Sequence, residues 1–254
     1  MQEAATEPPF ALACVPGVTP DKWLRRWSRR RPQVPLELTQ LPAADAADAV
    51  RDRTAHAALL RLPIDRTGLH AIPLYTETTV VVAPKEHVVT AAEELTAADL
   101  ADEIVLHPLD DALDWTGPPG LPAIERPATT GDAIQLVAAG VGLLVVPLSL
   151  ARLHHRKDLT YRPLTDAPQS QVALSWIEGE TTELVEEFIG IVRGRTENST
   201  RGRQEQGASA QPPAEGTKKR TGGKSATGGG KKQPPAGKRR GGPARGGKRA
   251  RRRS

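Results

Sequence analysis

Near residue 196 the charge and the apolar patterning of this chain break together. Residues 1–195 hold 18 Lys and Arg against 27 Asp and Glu, a net charge of −9. Residues 196–254 hold 17 against three, a net charge of +14. Apolar periodicity runs through the first stretch and is gone by Asn198. Residues 216–254 contain 15 Lys and Arg, 11 Gly and no acidic or aromatic residue. Such a segment buries too little surface to offset the entropy of ordering it, so disorder is expected there. The asymmetry predicts an acidic folded region carrying a basic tail.

Aromatic residues make up 3% of the chain, so any core must be built from Leu, Val, Ile and Ala. The single cysteine, Cys14, excludes a disulfide scaffold, and no Cys/His cluster has the spacing of a structural zinc site. The apolar run from Leu136 to Leu150 is broken by Gly and Pro and falls short of the roughly 20 residues a membrane span needs. Glu3 and Glu7 stand where a secretory signal would be positive, so a cytoplasmic protein is expected, with nucleoid association through the tail. Gly140-Val141-Gly142 follows a helix and precedes a strand, the reverse of a dinucleotide-binding order. Asp110, Asp111 and Asp114 lack the spacing of a calcium loop, and the adjacent His154 and His155 point apart on a helix. No metal, cofactor or membrane contact is expected.

Phe10–Val15 reads as a buried strand, and Thr19-Pro20-Asp21 as the start of a helix, with Thr19 as N-cap and Pro20 in the first turn. Trp23, Leu24 and Trp27 give that helix an apolar stripe, with Arg25, Arg26, Arg29 and Arg30 opposite. Strands at Leu36–Leu41, Ala57–Leu62, Leu69–Tyr75 and Thr78–Val82 alternate with a helix over Ala43–Arg53. The pattern restarts after Pro84, with a capped turn at Thr96–Asp99, strands at Glu103–His107 and Val141–Val146, and helices opening at Thr129 and Leu148. A strand at Val172–Ile177 and an amphipathic helix over 182–194 complete it. This alternation predicts βαβ units on parallel sheets.

Residues 10–193 resemble the effector-binding domain of LysR-type transcriptional regulators. The resemblance runs through FALACVPGVTPDKWLRRWSRRRPQVPLEL, ALLRLPIDRTGLHAIPLYTETTVVVAPKEH, LTAADLADEIVLHP, AIQLVAAGVGLLVVPLSLARL, LTYRPLTD and VALSWI. It implies an α/β fold of two Rossmann-like subdomains of the type 2 periplasmic-binding-protein kind, with a small ligand between them. On that basis residues 1–9 are a disordered N-terminus, 10–83 with 172–194 form subdomain I, 84–171 subdomain II, and 195–254 the disordered tail. The chain crosses near Val82–Pro84 and Ser170–Leu174. The family's winged helix-turn-helix is expected to be missing, since Phe10 already opens the resemblance; a start codon that omits it is the alternative. Arg53-Thr54-Ala55-His56-Ala57-Ala58 and Leu41-Pro42-Ala43-Ala44 also depart from the family pattern.

The candidate effector-binding residues are Gly17, Val18, Thr19, Arg61, His107, Thr129, Thr130 and Gly131. Thr19 and the Thr129–Gly131 turn each place a helix N-terminus at the cleft, where orphan N–H groups suit an anion. For each threonine the alternative is an N-cap alone. Arg61 ends a strand at a position matching a family arginine, and can grip a carboxylate bidentately or pair with Asp65 at the rim. His107 either lines the cleft or caps its strand. The expected ligand is a small anion.

In the tail, Lys218, Lys219, Arg220, Lys224, Lys231, Lys232, Lys238, Arg239, Arg240, Arg245, Lys248, Arg249, Arg251, Arg252 and Arg253 form basic clusters on a Gly/Pro-rich chain. Such clusters bind phosphate backbones by counterion release without sequence preference. The sequence therefore points to a ligand-sensing, non-enzymatic transcriptional regulator or accessory with a nucleic-acid-binding tail, and to a homodimer by the resemblance. The alternatives are a dehydratase-like enzyme on the same fold, whose Thr-Arg-Phe stretch is missing here, and a cytoplasmic solute-binding protein.

Overall fold

A computed structural model describes residues 8–195, and the tail cations between 218 and 253 lie outside the described residues. The chain runs β1 (Phe10–Cys14), α1 (Asp21–Arg30), β2 (Leu36–Gln40), α2 (Ala46–Arg51), β3 (Ala57–Leu62) and β4 (Leu69–Glu77). It continues through β5 (Thr79–Pro84), β6 (Ile104–Leu106), β7 (Leu121–Pro122), α3 (Thr130–Ala138), β8 (Leu143–Pro147) and α4 (Leu148–Leu153). It ends with β9 (Leu159–Pro163), β10 (Ser170–Ile177) and α5 (Glu183–Val192). Two five-stranded sheets result, in the orders β2-β1-β3-β10-β4 and β7-β6-β8-β5-β9. The expected two α/β subdomains are thus present.

The sheets are mixed rather than parallel. β2, β1 and β3 run parallel, as do β7, β6 and β8, but β10 is antiparallel to β3 and β4, and β5 to β8 and β9. The reversed strands are the two that enter from the other sheet. The first of these entries is abrupt, since only Thr78 separates β4 from β5. The first crossing therefore falls at Thr78, not at 83/84, because Val80–Val82 pair with β8. The return lies between β9 and β10, so Ser170 and Gln171 belong to the first sheet, where Ser170 pairs with Glu77. Pro84 is the last residue of β5 and not a boundary, since it pairs with Leu159.

In the second sheet alternate residues feed separate cores: Val80, Val82, Leu144 and Val146 on one face, Val81, Ala83, Leu143 and Val145 on the other. Strands buried on both faces read as continuous apolar runs, which is why β5 and β8 show no alternation in sequence. The first subdomain packs α1 and α5 around an aromatic cluster. Phe10 stacks on Trp27 at 4.7 Å between centroids and lies 5.4 Å from Phe188, and Trp27 donates Nε1–H to the Val34 carbonyl at 2.9 Å. Arg30 of α1 and Arg31 just after it turn to acids of α5, Arg30 bonding Glu187 at 3.0 Å and Arg31 bonding Glu183. α2 is shorter than expected: a turn closes Asp45 onto Pro42, and Arg53 adopts φ 59° just after the helix.

A ligand-sized cavity at the subdomain junction

The β1–α1 loop is the starting point of the site. Gly17 has φ +84°, a region that disfavours side chains. A Cβ there would stand 2.9 Å from Ser149 Oγ and 3.1 Å from Arg61 Nη2, so the loop needs glycine for space as well as for conformation. The following helix begins at Asp21, one residue later than expected. Pro20 takes the cap position and its carbonyl accepts from Trp23 N–H at 2.7 Å, so Thr19 is exposed and caps nothing. Val18 is buried in the first core instead of facing a cavity.

Arg61 binds neither Asp65 nor open space. From β3 its Nε donates to Glu77 Oε2 at 2.8 Å, Nη1 to the Pro16 carbonyl at 2.9 Å, and Nη2 to Ser149 Oγ at 3.0 Å. Ser170 Oγ donates to the same Glu77 oxygen at 3.0 Å. One side chain thus ties β3, the end of β4 and the β1–α1 loop to α4 of the second subdomain. Both charges are sequestered, with side chains 5% and 4% exposed. Asp65 is held by Arg51.

Around this clamp lies a cavity of about 580 Å³, lined by Gly17, Thr19, Asp21, Lys22, Trp23, Arg25, Tyr75, Thr76, Glu77, Thr78, Leu148, Ser149 and Arg152. Its walls come from both subdomains and from the crossing residue Thr78. Burial, with the Glu77 charge adding to it, pushes the Tyr75 phenol up to about 12. Lys22 sits 4.7 Å over the Trp23 ring. The exposed Arg25 and Arg152 guanidinium groups make no ion pair or hydrogen bond among the described residues. Sequence reasoning missed Glu77, Tyr75 and Arg152. The available signal was a lone carboxylate between two apolar strand runs, at the point where the chain changes sheets.

The other expected site residues lie elsewhere. Thr129 caps α3, accepting from Asp132 N–H at 3.1 Å while donating to Asp132 Oδ2 at 2.7 Å. Thr130 gives its N–H and its hydroxyl to Asp110 Oδ1, at 2.6 and 2.9 Å. The anion-binding end of that helix is therefore filled by the chain's own carboxylates. Gly131 faces His154, just after α4, which a Cβ would approach to 3.4 Å. His107 lines a separate cavity of about 430 Å³ with Asp111, Trp115 and Arg126. Its Nδ1 is 3.9 Å from Asp111 Oδ2, and the buried Trp115 Nε1 has no partner. Among the described residues no group of His, Cys, Asp and Glu has the makings of a metal site, and no helix is long and apolar enough to cross a membrane.

Comparison with known proteins matches residues 7–197 to the family described as LysR substrate binding domain. The transcriptional regulator AlsR of Bacillus subtilis is 26% identical over 182 residues, covering 66% of this chain and 59% of AlsR. CatR of Pseudomonas putida is 28% identical over 200 residues, covering 74% of this chain and 68% of CatR. A probable hydrogen peroxide-inducible genes activator of Mycobacterium avium is 33% identical over 131 residues, 48% of this chain and 42% of that protein. The chain thus spans about three fifths of AlsR and less of the mycobacterial activator. In structure, the BenM effector binding domain with its effector benzoate superposes with a TM-score of 0.63 at 18% identity, over 82% of this chain and 97% of that one. The reduced OxyR regulatory domain of Pseudomonas aeruginosa gives 0.57 at 20% identity, over 74% and 98%. These structural likenesses carry the fold: two mixed α/β subdomains joined by two crossings. With the family match extending over the whole folded region, the chain belongs to the LysR substrate binding domain family.

Proposed function

We propose that this chain is the effector-sensing part of a transcriptional regulator, that it is not an enzyme, and that its effector occupies the junction cavity. The observation that carries the reading is the cavity's double lining: Gly17, Thr19, Tyr75 and Glu77 from one subdomain, Leu148, Ser149 and Arg152 from the other. A molecule touching both has an affinity that depends on their arrangement, and by linkage it biases that arrangement. The cations at Lys22, Arg25 and Arg152 favour an anionic group on the effector. The non-enzymatic reading is supported by relatives named as transcriptional regulators. The basic segment 216–254 is proposed to hold nucleic acid without sequence preference, in the cytoplasm. A homodimer belongs to the same proposal, supported by the edge strand β2, which leaves Leu38 43% exposed.

Of the expected effector residues, Gly17 and Thr19 are proposed to touch the ligand. Arg61 is proposed to act through the clamp, while Val18, His107, Thr129, Thr130 and Gly131 stand outside this cavity. Calorimetry of the full chain against a metabolite library tests the reading. Expected is a 1:1 hit weakened at least about tenfold by Arg152→Ala, a loss that one charge-assisted contact accounts for. A chain ended at Thr196 should keep that hit and lose retention on DNA. Absence of any hit overturns the sensing role. A hit indifferent to Arg152→Ala but lost in His107→Ala moves the site to the second cavity.

A further inference from the structure

We infer that the junction cavity takes a small carboxylic acid that also carries a hydrogen-bond donor, an amino or hydroxy acid, with the donor directed to Glu77. The inference rests on the sensing role proposed above and names the class of ligand for it. Glu77 is unevenly satisfied. Arg61 Nε and Ser170 Oγ both donate to Oε2, at 2.8 and 3.0 Å, while Oε1 is buried and meets no donor. The side chain is 4% exposed and lines the cavity. A buried carboxylate oxygen without a donor is costly, and a ligand N–H or O–H removes that cost.

A plain anion cannot do this, because it would bring a second negative charge to the carboxylate. The opposite requirement holds at the mouth, where Lys22, Arg25 and Arg152 carry positive charge, offset by Asp21 alone among the acids of the outer lining. The cavity is therefore polarised, with an acceptor at its inner end and cations outside. Only a ligand holding a donor and an anion on one small skeleton matches both ends. Tyr75, two residues before Glu77 on β4 and 38% exposed, lines the same cavity.

The test is calorimetry of the full chain with matched acids: propanoate, lactate and alanine, and the 3-phenyl counterpart of each. The amino or hydroxy member of at least one series should bind at least about tenfold more tightly than its plain acid, because the plain acid leaves Oε1 unpaired. Glu77→Gln, which puts an amide where the acceptor stood, should erase that preference, and Arg152→Ala should weaken every member. The wild-type panel decides the matter even if Glu77→Gln fails to fold. Equal binding of plain and substituted acids overturns the role of Glu77 and leaves the sensing role standing. Silence of the whole panel overturns the ligand class, while the library screen judges the sensing role separately.

Discussion

Gly17, Arg61 and Glu77 show how single residues join two sheets: one supplies room, one the donors, one the charge that keeps them buried. Cys14, directly before this loop, reports on the same burial. Desolvation pushes its thiol from the ordinary 9.0 up to about 11, against an opposing pull from Arg61. A thiol so held is a poor nucleophile. The folded chain keeps this proton across pH 9 to 11, where the unfolded chain releases it. Its stabilising effect is thus complete below pH 9 and declines as pH rises through 11. Urea midpoints of the wild type should fall relative to Cys14→Ala over that window; parallel curves would mean that Cys14 is hydrated in the native state. The local strand–loop–helix pattern pointed to Gly17 and Thr19, and the match to a family arginine pointed to Arg61. Neither could supply the partner of Arg61, since Glu77 is sixteen residues away and Ser149 eighty-eight, and those distances close only through sheet pairing.

Among the elements, the capped ones were legible and the crossings were not. Thr129 and Asp132 form a capping box, as do Thr96 and Asp99, because the signal spans three residues. That the N-terminus of α3 is closed to ligands follows from Asp110, twenty residues earlier on a loop, which no local pattern reveals. β9 went unread, since Leu159–Pro163 has little apolar run of its own and is recruited by pairing with β5. The periodicity of α5 was the clearest, and its burial follows it: Val185, Phe188 and Ile189 face the core, joined by Ile191. Phe188 is fully buried against Phe10 and Trp27. Phe188→Ala should therefore cost about 3–5 kcal/mol in chemical denaturation. A loss below about 1 kcal/mol would show that the cluster refills the cavity or is not closed.

Residues 1–195 carry a charge of −9 and residues 196–254 one of +14, and the two stretches are assigned separate tasks. Sensing is assigned to the folded region, where the clamp and the crossing residue make one cavity the common property of both subdomains. The effector is assigned to this cavity and not to the one beside His107. Hydrogen exchange with and without the calorimetric hit separates the two cavities, since opening free energies differ from place to place in a fold. Amides in residues 15–22, 75–79 and 148–152 should be slowed together on ligand addition, because they line one cavity from two subdomains. Protection confined to residues 107–126, with those three segments unchanged, would place the effector in the His107 cavity instead.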